Sequence, residues 1–352
     1  MRRRRPRTRV RTKPLPLSGR CLARRVLSPA IAFPTRCSPL RAPRRLGPFR
    51  RRHPPPARPR YKAPRPRPWR NIALVGLVRG YFDGAGDRSG ATAQTVGGFV
   101  APAASWRKFS RDWLKALNAE GVSVFHMTDL MAGAGAFADW RGDARRKQRV
   151  LQQLVSIIRR HVHFAAASTV LLEDWNALNE QYAMKECHVS PFGLASFSVI
   201  NKCILWCGRN RPEDEFLPVF EKGDADRGDR DHLVSWVRAL GKPVLDSIRV
   251  DEESKSCPPL QAADLAAWEH RYTVAAVATG TLNEISASMK ELLRLESSYG
   301  VIKEAELAEH RARLCIPERS VWSSWTQKQR ASWRPAAFRS GTLYPSGPSV
   351  AE

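Results

Sequence analysis

The run Pro259-Leu260-Gln261-Ala262-Ala263-Asp264-Leu265-Ala266-Ala267-Trp268-Glu269 restricts the fold more than any other stretch of the chain. Two prolines, Pro258 and Pro259, open it. Proline in the first helical turn gives up no intrahelical hydrogen bond, so a helix starts here. Leu265 and Trp268 share a face, with Leu260 roughly one turn earlier. Gln261 and Asp264, three residues apart, place an amide and a carboxylate on one side of that helix, a turn apart. In a segment this rich in Ala and Leu, an inward-facing carboxylate without a partner costs several kcal/mol or shifts its pKa. The alternative is a solvated first-turn acid that complements the helix dipole. The rest of the chain must either partner these two groups or leave them in water.

A second stretch, Tyr81-Phe82-Asp83-Gly84-Ala85-Gly86-Asp87, offers a place for such a helix. It follows an apolar run over 72–78 and precedes another over 96–100. A strand that ends in an acid and turns through glycines puts that acid at a sheet edge, where a helix from elsewhere can meet it. Residues 216–220 read as a further strand, broken by Pro218, that delivers Glu221 at its end. The following Lys222-Gly223-Asp224-Ala225-Asp226-Arg227-Gly228-Asp229-Arg230-Asp231 looks like a calcium loop at first sight. Its glycine and closing acid are not where an EF-hand needs them, and a polar turn capping a helix over 232–240 is the simpler reading.

These motifs, together with Phe125-His126-Met127-Thr128-Asp129-Leu130 and Phe137-Ala138-Asp139-Trp140, resemble in order those of an uncharacterised bacterial family, domain of unknown function 3800. The resemblance spans roughly residues 73–300 and rests on the succession of five motifs, none highly specific by itself. It implies a ribonuclease H-like α/β fold, a mixed sheet flanked by helices. It also implies an Asp-Glu pair in the first strand and a Pro-Leu-Gln-x-x-Asp helix. This chain departs from the pattern in one place: Gly84 stands where the family has Glu, and Ala85 where it has Ser.

Charge bears on which part of the chain can fold. Residues 1–70 hold 24 Lys or Arg, no Asp or Glu, and 15 of the 26 prolines. The remainder carries 35 basic and 33 acidic residues, so the formal net charge of +26 belongs almost wholly to the first segment. Like charge and proline at that density leave too little apolar surface to order the segment. It reads as a nucleic-acid-binding arm, an Arg-rich targeting peptide, or text upstream of the true start that is not translated in the cell. The near-neutral remainder gives no electrostatic case for a nucleic-acid partner. The expected organisation is a disordered tail over 1–70, an α/β domain over 71–317 and a loose tail over 318–352.

Within the domain, 72–82 and 95–100 read as a hairpin. Residues 105–117 form a helix with Trp106, Phe109, Trp113 and Leu117 on one face and Ser105 as its cap. Residues 122–127 read as a short strand ending in His126. That residue is most simply a core or edge histidine; the alternative is a group beside the acids that contacts phosphate or orients a carboxylate. Phe137 and Trp140 read as packing residues. An amphipathic helix covers 144–161, with Arg145, Arg146, Lys147 and Arg149 at its start as a solvated face or a phosphate patch. A strand over 162–172, helices over 173–182 and 191–207, and a last, edge strand over 244–250 complete the pattern. Residues 282–299 and 304–314 read as helical. The seven cysteines show no zinc spacing, which points to reduced thiols and a cytoplasmic protein. Nothing after residue 70 approaches the ~20 apolar residues of a membrane helix.

Asp83, Glu221 and Asp264 thus come from two strand ends and one helix. Carboxylates brought together repel unless a cation sits among them. Oxygen ligands of this kind suit Mg or Mn, and a pair of such ions about 4 Å apart serves phosphodiester cleavage. The expected roles are Asp83 as bridging ligand, Glu221 and Asp264 flanking it, and Asp87 in reserve for the carboxylate missing at position 84. Gln261 and His126 would support them, Gln261 by orienting Asp264 or a phosphate. The expected function is a metal-dependent nuclease. The alternative is a catalytically degenerate nucleic-acid- or protein-binding module of a mobile-element or defence system. A structural subunit that buries its 191–207 helix against another chain is a third.

Overall fold

The computed structural model describes residues 76–86, 92–221, 251–253 and 256–333. The basic 1–70 segment, Asp87, the expected turn, helix and strand within 222–250, and the 334–352 end of the expected tail lie outside the described residues. The hairpin forms as expected: β1 (Leu77–Gly86) pairs antiparallel with β2 (Ala93–Pro102). β2 pairs antiparallel with β3 (Phe164–Leu171). β4 (Glu215–Glu221) lies parallel to β1 on its other side, and β5 (Asp251–Glu253) parallel to β4. β6 (Ser297–Ile302) lies parallel to β3. The sheet order is β5-β4-β1-β2-β3-β6, so β2 alone runs against the other five described strands.

Successive strand residues face opposite sides, and the two sides build two cores. Phe82, Val96, Phe164, Phe216 and Phe220 face α5 (Pro191–Asn210), with α4 (Leu172–Gln181) beside it. α8 (Glu304–Leu314), α9 (Arg319–Ser324) and α10 (Gln327–Ser332) complete that layer. Tyr81, Phe99, Leu217 and Val219 face α1 (Ala103–Ala119), α3 (Ala144–His161) and α6 (Pro258–Ala278). α2 (Met127–Ala132), the 3-10 segment Gly135–Trp140 and α7 (Ala287–Leu292) fill in around them. Burying each Leu, Val or Phe of these cores contributes about 1.5–3 kcal/mol before chain entropy is subtracted. Phe137 and Trp140 pack into the second core, as their spacing suggests.

α6 lies unusually close to the sheet, and Gly97 permits it. A Cβ at Gly97 would stand 3.0 Å from the Cα and 3.1 Å from the backbone nitrogen of Ala267. Gly97 is the register partner of Asp83, so this close approach of helix to sheet falls beside that acid.

Several local expectations change. Ser105 is not a cap: β2 runs directly into α1 through Pro102, and the helix starts at Ala103 with no side-chain cap. Residues 122–126 form no strand, because the backbone N–H groups of Phe125 and Met127 bond to side chains of α6 instead of to a neighbouring strand. Pro218 does not break β4: it keeps its place in the parallel ladder with β1, opposite Gly80. Within 282–299 only Ala287–Leu292 is helical, and Ser297–Tyr299 pair with β3. The stretch after Pro317 is not loose up to residue 333. Trp322 is buried, and Trp325 and Trp333 pack on the same core, so the aromatic residues there are anchors. That core also covers much of α5 from within the chain, which removes the reason to assign the helix to another subunit.

The basic start of α3 is locally engaged. Arg146 pairs with Glu120 at 2.9 Å and sits over the Trp140 ring, while Lys147 Nζ donates to the Met131 carbonyl. Cys187, Cys203, Cys207, Cys257 and Cys315 are free thiols, and burial pushes Cys207 up to about 12. Among the described residues no helix is long and apolar enough to cross a membrane.

Candidate functional site

The register of β1 and β4 places two acids side by side. Phe82 pairs with Phe220, and the next residues, Asp83 and Glu221, turn to the α6 side of the sheet. Neighbouring strands are about 4.8 Å apart, which is the spacing of the two Cα positions if the register continues by one residue. Glu221 closes β4 as expected, whereas Asp83 lies inside β1, three residues before its end. Asp83 is only 1% exposed, and the N–H of Gly84 donates to its Oδ1 at 2.8 Å.

The third acid arrives on α6. Its helix begins after Cys257, so Asp264 sits in the second turn and is 5% exposed. It is therefore not a solvated first-turn acid. Its Oδ2 accepts from the backbone N–H of Met127 at 2.7 Å, a charge-assisted bond that fixes the carboxylate.

Gln261, one turn earlier, is fully buried. Its Oε1 accepts from Trp113 Nε1 at 2.9 Å and from Phe125 N at 3.0 Å. Gln261 is thus not in the cleft wall, and the expectation that it meets a phosphate is corrected. The reason is spacing. Residues 125 and 127 present N–H groups on the same side of an extended segment, and side chains three apart on α6 receive both. The pair Gln261 and Asp264 staples segment 125–127 to the helix, and His126 lies between the two staples.

Asp83, Glu221 and Asp264 line one cleft of about 170 Å³ with Gly84, Ala85, Gly86, His126, Thr128, Trp268 and Arg271. The structure thus brings together three of the four acids named from the sequence, Asp87 lying outside the described residues, and His126 with them. His126 Nδ1 is 3.4 Å from Asp264 Oδ2 while its side chain is 41% exposed, so the ring bridges the buried acid and the open cleft. Sequence reasoning missed Thr128, Trp268 and Arg271 as wall residues. The signal was present for two of them: Asp264, Trp268 and Arg271 follow at four and seven residues, one stripe of a helix.

Beyond the cleft α6 carries two more buried polar groups. Glu269 accepts from Ser286 Oγ at 2.6 Å, and burial raises its pKa. His270 Nε2 lies 3.3 Å from the Gly300 carbonyl, and burial pushes the ring down to about 4. On the other side of the sheet Lys202 Nζ donates to the Ala167 carbonyl and Ser168 Oγ, and burial lowers it to about 8.

The acids are not a closed ion cage. Among the described residues no three His, Cys, Asp or Glu side chains are gathered tightly enough to hold an ion alone. Magnesium keeps several waters and takes one or two carboxylates together with substrate phosphates. An open wall of carboxylates fits that kind of binding and does not fit an all-protein site.

Compared with family models, curated proteins and solved structures, the chain matches none. Function is read from the cleft itself.

Proposed function

We propose that the chain is a metal-dependent phosphodiester hydrolase with a ribonuclease H-like arrangement of strands. The observation that carries this reading is the convergence of Asp83, Glu221 and Asp264 on one cleft from three distant parts of the chain. The strand order supports it: a β1-β2-β3 antiparallel run extended beyond β1 by parallel β4 and β5, with acids on the two central neighbours. The resemblance of five ordered motifs to domain of unknown function 3800 supports it too.

In this reading Asp83 and Glu221 hold the ion, with Asp264 as the flanking acid. A bound Mg or Mn ion supplies a nucleophilic water at neutral pH and charge neutralisation at the leaving oxygen. Asp264 is held rigid by Met127 N, which keeps its carboxylate at the wall. His126 faces Asp264 through Nδ1 at 3.4 Å while its open side meets solvent or substrate. Arg271 adds positive charge to a wall otherwise dominated by acids, the charge a phosphodiester needs.

A second reading, a nucleic-acid- or protein-binding module without catalysis, is favoured by Gly84. It lines the cleft where the family pattern has a carboxylate.

The test compares the full chain with Asp83→Asn in melting experiments containing EDTA, Mg or Mn, and in cleavage assays on nucleic acid. An ion at 100 times its Kd adds about 2.7 kcal/mol of stability. The expected result is a metal-dependent rise in Tm and cleavage activity, both lost in Asp83→Asn. A metal shift of equal size in both proteins, or none in either, sinks the metal-site reading and leaves the binding module.

A further inference from the structure

The helix stripe that enters the cleft continues past it. Asp264 and Trp268 line the cleft, and Tyr272 follows one turn on. Trp268 and Tyr272 lie ring on ring, with centroids 5.1 Å apart and planes within 4° of parallel. Tyr272 is 50% exposed, so one ring of the pair is open to solvent beside the acids. Arg271, on the same turn, lines the cleft, and among the described residues no acid pairs with it. Aromatic pairs four residues apart are common on helices, where they add a few tenths of a kcal/mol. This one differs in its surroundings: it borders a carboxylate-lined cleft and sits beside a guanidinium.

Resting on the nucleic-acid reading above, we infer that Trp268 and Tyr272 are a stacking platform for an unpaired base of a single-stranded nucleic acid. Arg271 holds the phosphate that joins this nucleotide to the one in the cleft. The eight residues from Asp264 to Tyr272 rise about 12 Å along the helix, so the platform takes a nucleotide that flanks the reacting phosphate. A base inside a duplex has both faces covered and cannot lie on Tyr272. Stacking accepts any base, because each has a π-face, so the platform selects strandedness and not sequence.

The experiment measures binding of fluorescently labelled oligonucleotides to the full chain in EDTA, at salt high enough to suppress the electrostatic hold of residues 1–70. The probes are a single-stranded DNA, a single-stranded RNA, a blunt DNA duplex, and an abasic strand of equal length. The expected result is tighter binding of the single strands than of the duplex or abasic strand. Tyr272→Ala weakens the base-bearing strands by about fivefold to a hundredfold, the loss of one stacked base. It changes abasic binding less than about twofold, whereas Tyr272→Phe and Tyr272→Trp keep the wild-type preference. Equal loss on base-bearing and abasic strands, no loss at all, or duplex bound as well as single strands overturns the platform. So does concentration-dependent self-association that Tyr272→Ala abolishes, which assigns the patch to a second copy of the chain. Cleavage plays no part in this readout. Base-dependent binding without metal-dependent cleavage leaves the platform standing and removes the hydrolase, while duplex cleavage unaffected by Tyr272→Ala does the reverse.

Discussion

Phe82 and Asp83 are adjacent in sequence and belong to opposite layers of the molecule. Phe82 faces α5 and a core made of aliphatic residues, aromatic rings and buried thiols. Asp83 faces α6, where Gln261, Asp264, Glu269 and His270 are all buried as well. The α5 layer is held mainly by hydrocarbon, and its shape can adjust by small side-chain shifts. The α6 layer is held by aromatic packing plus a few buried hydrogen bonds that allow no such adjustment. The comparison shows where precision is concentrated: at the layer that must keep three acids and a histidine in register.

This contrast can be broken in graded steps. The largest effect is expected at Gln261. In Gln261→Leu the buried donors Trp113 Nε1 and Phe125 N lose their acceptor, each at a cost of about 1–3 kcal/mol. Urea unfolding should show a loss of about 2–5 kcal/mol, against about 0.5–1.5 kcal/mol for Ile200→Val in the α5 layer. Equal losses would erase the distinction between the layers.

The next step uses two glycines. Gly97→Ala drives a methyl into the backbone of Ala267 and should cost about 1–3 kcal/mol. Gly208→Ala, on α5 with open space around it, should gain about 0.5–1 kcal/mol. Tm measurements on the two variants should therefore move in opposite directions.

The pH dependence of stability, which spreads its effect over several pH units, probes both layers. His270 titrates at about 4 in the fold against 6.5 ordinarily, so the unfolded chain binds more protons between those values. Stability should fall as pH drops from about 6.5 towards 4, and His270→Gln should reduce that loss. His310 on α8 is also pushed down to about 4 and should leave a residual acid dependence in that variant. Lys202 titrates at about 8 in the fold against 10.5 ordinarily. Lys202 therefore contributes a rise in stability between pH 8 and 10.5. It is opposed above about pH 9 by the buried thiols of Cys187 and Cys207, which burial pushes up to about 12, and Lys202→Met should make the alkaline slope more negative. Denaturation midpoints across pH check both signs. An alkaline slope unchanged in Lys202→Met would mean that other groups control that window.

Much of this architecture was legible beforehand where one period dominates. The amphipathic 144–161 helix and the alternating strand over 164–171 were both read at nearly their observed bounds. Asp83, Glu221 and Asp264 were legible because each acid interrupts an apolar run, which demands a reason. Segment 122–127 was misread because its hydrogen bonds go to side chains 136 and 137 residues away, which no local pattern records. β6 was misread for a similar reason: Ser297-Ser298-Tyr299-Gly300 has weak strand character, and pairing with β3 decides its state. Gln261 was correctly singled out, but its direction was not. A spacing of three says that two side chains share a face; it does not say which neighbour each one meets.

The staple formed by Gln261 and Asp264 has a consequence for the life of the chain during synthesis. Residue 83 leaves the ribosome long before residue 264, and the segment carrying His126 has no strand partner to hold it meanwhile. Until α6 emerges, Phe125 and Met127 lack their acceptors, and Asp83 lacks the helix that buries it. A nascent or truncated chain that ends before α6 therefore contains most of the sheet but no assembled cleft. Whatever chemistry the cleft performs is withheld until translation has passed the helix, a built-in check on completeness that needs no inhibitor.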